Sequence, residues 1–284
     1  MKLLGIRWKP IRDTTSYAAS HPNKNKRFTK RIILSQIAQL YDPLGLLGPI
    51  LTKTKLILRQ LCQGNIDWDE SIPLSIYTSW CELQTNLPSL KNIPIPRRIK
   101  EHNSIKLNLH GFCDASEKAY GAYVYLQTCN VKDERSIRLV CAKSRVALSK
   151  KVSLPRLELC TAVLLTNLYV NTTAVLKLDF KFVHFLADSS ITLSRMHSES
   201  RTLKTFVVNR VSDMQLKTHP TNWNRVPTDD NPADFISSGQ FPKEFLQKKL
   251  WIHDPHRLLK EEKGWPKLQN LQLMFLRNVM EHLS

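Results

Sequence analysis

The cysteines of this chain lack the patterns that bind zinc. None of the six forms a Cys-x-x-Cys pair, and no Cys/His cluster has the ligand spacing of a zinc site. Cys113, Cys141 and Cys160 lie in apolar contexts, where a buried free thiol is expected. A zinc finger or zinc ribbon is therefore excluded. A reducing intracellular setting, cytoplasmic or nuclear, is expected rather than secretion.

Long apolar segments are also missing. The sequence contains no run of about 18 apolar residues, so we predict that no segment spans a membrane. The apolar stretch within residues 1–7 is too short to be the core of a signal peptide.

Two catalytic motifs are absent. There is no Tyr-x-Asp-Asp motif, because Asp229-Asp230 follows Pro227-Thr228 in a predicted loop, and DNA polymerisation is not expected. A retroviral-type aspartic peptidase needs an Asp-Thr/Ser-Gly loop in which two aspartates share one proton. The glycine is missing after Asp13 and after Asp188, so proteolysis is the least favoured activity.

Acidic residues are scarce relative to basic ones. The chain has 24 Asp+Glu against 42 Lys+Arg, a formal net charge of +18. Residues 1–60 alone hold 12 Lys/Arg against Asp13 and Asp42, a net of 12 − 2 = +10. This excess predicts a polyanionic partner, most simply nucleic acid. A solvated basic surface, or a basic fragment of a larger complex, is the alternative. The 42% hydrophobic content suffices for a sizeable core.

The hydrophobic pattern changes near residue 100. Upstream, the spacing predicts a strand at 3–8, a loop at 14–30 and helices at 31–41, 50–63 and 75–86. A proline-rich stretch from Pro88 to Arg98 reads as a linker. We therefore predict three regions, at residues 1–100, 101–240 and 241–284.

Downstream of residue 100, apolar residues alternate with polar ones, which is the pattern of β-strands. The predicted order is βββ-α-β-α-α-β-α, a mixed α/β fold with a central sheet and flanking helices. The predicted elements are strands at 105–114, 119–128 and 136–143, a helix at 154–176, a strand at 181–187, helices at 189–197 and 204–217, a strand at 222–226 and a helix at 232–237.

Four carboxylates stand at landmarks of these elements. Asp114 and Asp188 each end a predicted strand, Glu158 lies one turn into the long helix, and Asp234 begins the last one. Carboxylates are the ligands that Mg²⁺ prefers, and two such ions can hold both oxygens of an in-line phosphoryl displacement. Like charges cannot be packed together without cations, so clustering of the four would favour metal binding.

Each carboxylate also has an ordinary structural explanation. Asp114 can stabilise a turn, and Asp188 can cap the following helix. Asp234 can favour a helix N-terminus through the dipole, and Glu158 can face water. The basic run from Lys143 to Lys151 suits either a solvated loop or a contact with phosphates.

Stretches along nearly the whole chain resemble the Bel/Pao class of LTR retrotransposon polyproteins, in the order found in that family. These stretches are Leu4-Gly5-Ile6-Arg7-Trp8, Tyr41 to Pro49, Asp67-Trp68-Asp69, Gly111 to Gly121, Ser144-Arg145-Val146, Leu154 to Leu159, Phe206 to Val211 and Trp223 to Asp234.

The resemblance implies that residues 1–100 are similar to the thumb and connection of a reverse transcriptase, and residues 101–240 to a ribonuclease H-like domain. Residues 241–284 resemble the helical spacer that precedes an integrase. The implied activity is cleavage of the RNA strand of an RNA/DNA hybrid with two Mg²⁺ or Mn²⁺ ions, and the rest of a retroelement polyprotein is an implied partner. The implied catalytic and metal-binding residues are Asp114, Glu158, Asp188 and Asp234, and the candidate nucleic-acid contacts are Lys143, Arg145, Lys150, Lys151 and Arg225.

Four positions depart from the family pattern. Ala187 and Arg195 stand where that family usually has Thr and Trp, Arg225 where it often has His, and Ser238 where an Arg is expected. None of these changes removes a carboxylate. They support the alternative of a catalytically inactive remnant that binds nucleic acid. The family region is also commonly labelled an aspartic peptidase, which the missing glycines argue against.

Overall fold

The computed structural model describes residues 2–3, 6–17, 27–147, 152–198, 204–247 and 251. Elements upstream of residue 100 are β1 (Lys2–Leu3), β2 (Ile6–Lys9), β3 (Thr14–Tyr17), α1 (Lys30–Ala38), α2 (Gly48–Gln63), α3 (Leu74–Asn86) and β4 (Ile95–Pro96). Elements downstream are β5 (Ser104–Ala115), β6 (Ala119–Asn130), β7 (Arg135–Val146), α4 (Leu154–Leu176), β8 (Phe182–Ala187), α5 (Ser190–His197), α6 (Thr205–Lys217), β9 (Trp223–Arg225), α7 (Asp234–Ser238) and α8 (Pro242–Gln247).

A five-stranded mixed sheet with the strand order β7-β6-β5-β8-β9 forms the centre of the downstream part. Strands β5, β6 and β7 are antiparallel neighbours joined by short turns, whereas β8 and β9 run parallel to β5. The β-branched and aromatic residues of β6 suit this central position, because both of its faces are covered. The predicted mixed α/β fold with a central sheet and flanking helices is confirmed.

Helix α4 covers one face of the sheet. Leu159, Ala162 and Leu165 are fully buried and belong to one core with Val124 of β6 and Phe185 of β8. By length and composition alone this helix is apolar enough to cross a membrane, and the prediction that no segment spans a membrane stays a prediction. Its packing onto the sheet gives the apolar composition a second explanation, that of a core helix.

The upstream elements share a core with the other face of the sheet. Leu47, the N-cap residue of α2, and Ile50 within α2 lie in one cluster with Phe112, Tyr123 and Leu186 of the sheet strands. This core contains residues from both sides of residue 100. The domain boundary predicted there stays a prediction. The predicted helices are present, although the first ends at Ala38. The loop prediction was wrong over residues 14–17, which form β3 by pairing with β2.

The loop before α2 joins the upstream part to the edge of the sheet. The N–H of Ala142 in β7 donates to the carbonyl of Leu44 at 2.7 Å. The Asp42 carboxylate accepts from the N–H groups of Leu46 and Leu47 at 2.9 and 2.7 Å, and from the Tyr17 hydroxyl at 2.5 Å. These bonds satisfy N–H groups at the start of the helix, as an N-cap does. The loop therefore sets where α2 begins.

Part of the predicted C-terminal region also packs on this core. Trp251 is fully buried, and its indole N–H donates to the carbonyl of Leu46 at 2.7 Å. The Tyr125 hydroxyl donates to the Trp251 carbonyl at 2.8 Å. Apart from α8 and Trp251, the predicted helical tail lies outside the described residues, as do residues 148–151, which include Lys150 and Lys151.

Candidate functional site

Two of the four carboxylates leave the same edge of the sheet from neighbouring strands. Cys113 of β5 is aligned with Ala187 of β8 in the parallel register. Asp114 is the next residue of β5 and Asp188 directly follows β8, so they emerge side by side. Adjacent strands lie about 4.8 Å apart, which puts these acids close together.

Glu158 approaches this edge from helix α4 and is half-buried. The hydroxyl of Ser189 donates to the Glu158 carboxylate at 2.5 Å. The same hydroxyl accepts from the N–H of Thr192 at 3.2 Å, and so caps helix α5. Because Ser189 directly follows Asp188, this contact links Glu158 to the end of β8.

Asp234 begins helix α7, which helix α2 and strand β6 hold between them. A Cβ atom on Gly48 would lie 2.8 Å from the Ile236 side chain, and one on Gly121 would lie 2.5 Å from it. Ile236 therefore fills a space that two glycines leave open. Ser237, the next residue, donates a hydrogen bond from its buried hydroxyl to the Asp114 carboxylate. The upstream helix α2 thus helps to place Asp234 and the partner of Asp114.

The carboxylates act on one another electrostatically. Burial raises the pKa of Asp114 to about 7; the Ser237 hydrogen bond opposes this rise, and the charges of Asp188 and Asp234 add to it. Burial also raises the pKa of Glu158, with a further contribution from Asp188. Burial and the charge of Asp234 raise the pKa of Asp188. Four acids from four elements therefore influence one another, and the charge of Arg195 offsets part of the repulsion at Glu158.

The donor set suits a hard divalent cation, although the side chains are not closed around one. Within the described residues, no group of three or more His, Cys, Asp or Glu side chains is arranged to hold a metal ion. Asp114, Glu158 and Asp188 each accept a hydrogen bond from a hydroxyl instead, that of Thr228 reaching Asp188 at 3.3 Å. Carboxylate oxygens are the ligands of Mg²⁺ and Mn²⁺, and a cation would relieve the repulsion that adds to the effect of burial on these pKa values.

The raised pKa of Asp114 predicts a gain in stability for Asp114→Asn in metal-free protein. Between pH 4 and 7 the folded state holds this proton while the unfolded chain, with an ordinary pKa of 3.8, has released it. Stability should therefore fall as pH rises through this window. The shift corresponds to roughly 4 kcal/mol at most, so the variant should gain about 2–4 kcal/mol at pH 8 and nothing at pH 3.5. Urea unfolding in chelator at both pH values measures this, and a loss at pH 8 would refute the assignment.

Basic residues lie on both sides of the carboxylates. Lys143 and Arg145 are exposed on β7 and flank Ser144, which is aligned through Gly121 of β6 with Asp114. Two strand spacings separate them from Asp114, about 10 Å. On the other side, exposed Arg225 is aligned with Ala187, one residue before Asp188. The predicted contacts that the structure describes therefore border the end of the sheet at which Asp114 and Asp188 emerge, which we call the acidic edge.

Sequence reasoning missed the hydroxyl partners Ser189, Thr228 and Ser237. Two of them had a local signal, since Ser189 follows Asp188 directly and Ser237 lies three residues after Asp234 on the same helix face. In the sequence, Arg195 stands out only because the family usually has Trp at this position. Its guanidinium donates to the Pro155 carbonyl at 3.1 Å, and its charge lowers the pKa of Glu158.

Comparison with solved structures finds ribonucleases H and a viral protease–reverse transcriptase, all at low identity. Ribonuclease H1 from Halobacterium salinarum is 9% identical, with 45% of this chain and 90% of that chain covered and a TM-score of 0.28. LC11-RNase H1 in complex with an RNA/DNA hybrid is 14% identical, with 49% of this chain and 99% of that chain covered and a TM-score of 0.31. The foamy viral protease–reverse transcriptase dRH in complex with double-stranded DNA is 11% identical, with 76% of this chain and 37% of that chain covered and a TM-score of 0.43.

Comparison with protein families is more direct. None of the curated proteins matches this chain. The family model for the Pao retrotransposon-like RNaseH-like domain matches residues 29–189, more than half of the 284 residues. The match begins in the upstream helices and includes Asp114, Glu158 and Asp188. The resemblance read from the sequence is thus confirmed, and the chain belongs to the Pao retrotransposon-like RNaseH-like domain family.

Proposed function

We propose that this protein is a nuclease that hydrolyses the RNA strand of an RNA/DNA hybrid and depends on two divalent metal ions. The observation that carries the proposal is the convergence of Asp114, Glu158, Asp188 and Asp234, from four separate elements, on one edge of the sheet. Structural roles explain each acid alone, but they do not explain why the pKa values of Asp114, Glu158 and Asp188 are raised by burial and, in addition, by the charge of a neighbouring acid.

The four carboxylates are the groups that would hold Mg²⁺ or Mn²⁺. When bound, the two ions would lower the pKa of the attacking water and stabilise the leaving 3′ oxygen. Ser237, Ser189 and Thr228 orient the carboxylates through their hydroxyl hydrogen bonds. Lys143, Arg145 and Arg225 border the carboxylates and would bind phosphates on either side of the scissile one. Lys150 and Lys151 remain candidates for the same task.

The proposed substrate follows from charge and family. The net charge of +18 suits a polyanion. An RNA strand differs from DNA by its 2′-hydroxyls, which line the wide minor groove of the hybrid. The retroelement family also implies that the rest of a polyprotein is a partner.

The test is cleavage of a hybrid whose RNA and DNA strands carry different labels. With Mg²⁺ or Mn²⁺ we expect fragments of the RNA strand and an intact DNA strand, and excess chelator should stop the reaction. An intact hybrid, under conditions in which a known ribonuclease H cuts it, would rule out the activity.

A second candidate function is nucleic-acid binding without catalysis. It is favoured by the hydroxyl hydrogen bonds that occupy three of the acids, and by Arg225 where the family often has a His that can move protons. This alternative predicts salt-sensitive hybrid binding without cleavage. A peptidase is not proposed: the Asp13 carboxylate accepts from Arg97 at 2.6 Å and from Trp8 at 3.1 Å, and the Arg97 hydrogen bond lowers its pKa.

A further inference from the structure

A cleft of about 800 Å³ lies between helix α2 and the downstream part of the protein. Its walls come from elements far apart in sequence. Lys53 and Arg59 line it from α2, Lys118 from the β5–β6 turn, Leu154 from the start of α4 and Ser238 from the end of α7. The cleft is a joint product of the regions upstream and downstream of residue 100.

The described lining is basic. Lys53, Arg59 and Lys118 face one acid, Glu117, among the described residues that line the cleft. One Arg59 guanidinium nitrogen donates to the Lys118 carbonyl at 3.2 Å, while its buried Nε has no hydrogen-bond partner. The ammonium of Lys53 lies 4.2 Å from the centre of the Phe241 ring. Within the part of the chain that the structure describes, no carboxylate forms an ion pair with these three cations. Their charge is therefore available to an anionic ligand.

The cleft adjoins the acidic edge. Lys118 lies four residues after Asp114, Leu154 lies one helical turn before Glu158, and Ser238 ends the helix that Asp234 begins. A strand whose phosphate reaches the carboxylates would bring neighbouring phosphates to the cleft. Lys53 and Arg59 are six residues apart on α2, about 9 Å along its axis, which suits successive phosphates better than one small anion.

We propose that this cleft binds the phosphodiester backbone of a nucleic-acid strand, so that helix α2 takes part in holding the substrate. The cleft is far larger than one phosphate requires and is of the size that holds an extended ligand. The proposal rests on the proposed function for the identity of the strand, but its binding step is independent of catalysis.

The test is the salt dependence of hybrid binding in excess chelator, where no cleavage occurs. The variants are Lys53→Gln, Arg59→Gln and Lys118→Gln. The matched control is Lys177→Gln, because exposed Lys177 follows the far end of α4, about 35 Å along that helix. Each cleft variant should reduce the magnitude of the negative slope of log association constant against log salt concentration by about 1, and the control should leave this slope unchanged.

Equal slopes for the cleft variants and the control would overturn the proposal. If Arg59→Gln does not fold, the two lysine variants and Arg59→Lys, which keeps the charge and should keep the slope, still decide it. Inorganic phosphate is the second probe: competition at millimolar phosphate, with slopes unaffected by the variants, would mean a small-anion site. Reduced slopes in a protein that never cleaves would support the cleft and reject only the nuclease.

Discussion

Asp188→Asn should lower the rate of RNA cleavage in a hybrid by at least about 100-fold, because a metal ligand contributes more than the groups that merely orient it. The amide has nearly the same shape and can still accept from Thr228, so the fold should persist. Affinity for the hybrid in chelator should change little. Single-turnover cleavage with saturating protein and Mg²⁺ separates the chemical step from binding.

The matched control is Asp229→Asn. Asp229 is exposed in the neighbouring turn and is not one of the four carboxylates. The Asp229→Asn protein should cleave the hybrid at the wild-type rate. If Asp188→Asn cleaves as fast as Asp229→Asn, the carboxylates are structural and any measured cleavage has another origin. Absence of cleavage in all three proteins would favour the inactive, binding remnant.

Gly45→Ala should destabilise the protein by about 3 kcal/mol or more. The added methyl group would clash with the backbone of β7, and the backbone conformation of Gly45 is strained for any residue with a side chain. Gly45 has a φ of +73°, in the left-handed region. Its Cβ would lie 1.9 Å from the carbonyl oxygen of Ala142 in β7, and a strand backbone cannot move aside as a side chain can. Equilibrium unfolding in urea measures the loss.

Gly64→Ala is the control for this substitution. Gly64 is the C-cap residue after α2 and has a φ of −74°, and its Cβ would be 3.2 Å from the flexible end of Ile66. A change within about 0.5 kcal/mol is expected. Equal stability of Gly45→Ala and wild type would mean that the loop does not pack on β7 as described. The glycine-rich stretch shared with the family would then need an explanation other than docking of α2.

Local patterning was sufficient to predict much of the fold. Alternation in β5 and β6, the apolar stripe of α4 and the turn residues between strands are short-range signals, and the corresponding elements are present. Strand β3 was predicted as loop because Thr14–Tyr17 has a polar face, and its state depends on pairing with β2 and β4. Pairing partners are not encoded within a short window.

The site shows the same division. The acids could be predicted because each stands at the end or beginning of an element. The contacts between α2 and α7 could not, since they depend on Gly48 and Gly121 leaving room for Ile236, residues from three distant segments. Nor could the orientation of Asp114 towards Ser237, which is set by how α7 packs against the sheet. Close approach and side-chain partners are properties of the tertiary structure.

The packing of α7 against α2 links the region downstream of residue 100 to the region upstream of it. The residues upstream of residue 100 contribute to the core, to the placement of Asp234 and to the basic cleft. We therefore expect the region downstream of residue 100 to be less stable when it is produced alone.

The proposed metal site can be tested directly by anomalous diffraction from crystals soaked in Mn²⁺, a measurement that does not depend on activity. We expect manganese density between Asp114, Glu158 and Asp188, with carboxylate oxygens about 2.1 Å from the ion and the hydroxyls of Ser189 and Ser237 released or rotated. Manganese only at exposed carboxylates elsewhere, with these three acids still bonded to their hydroxyls, is incompatible with a metal-dependent nuclease.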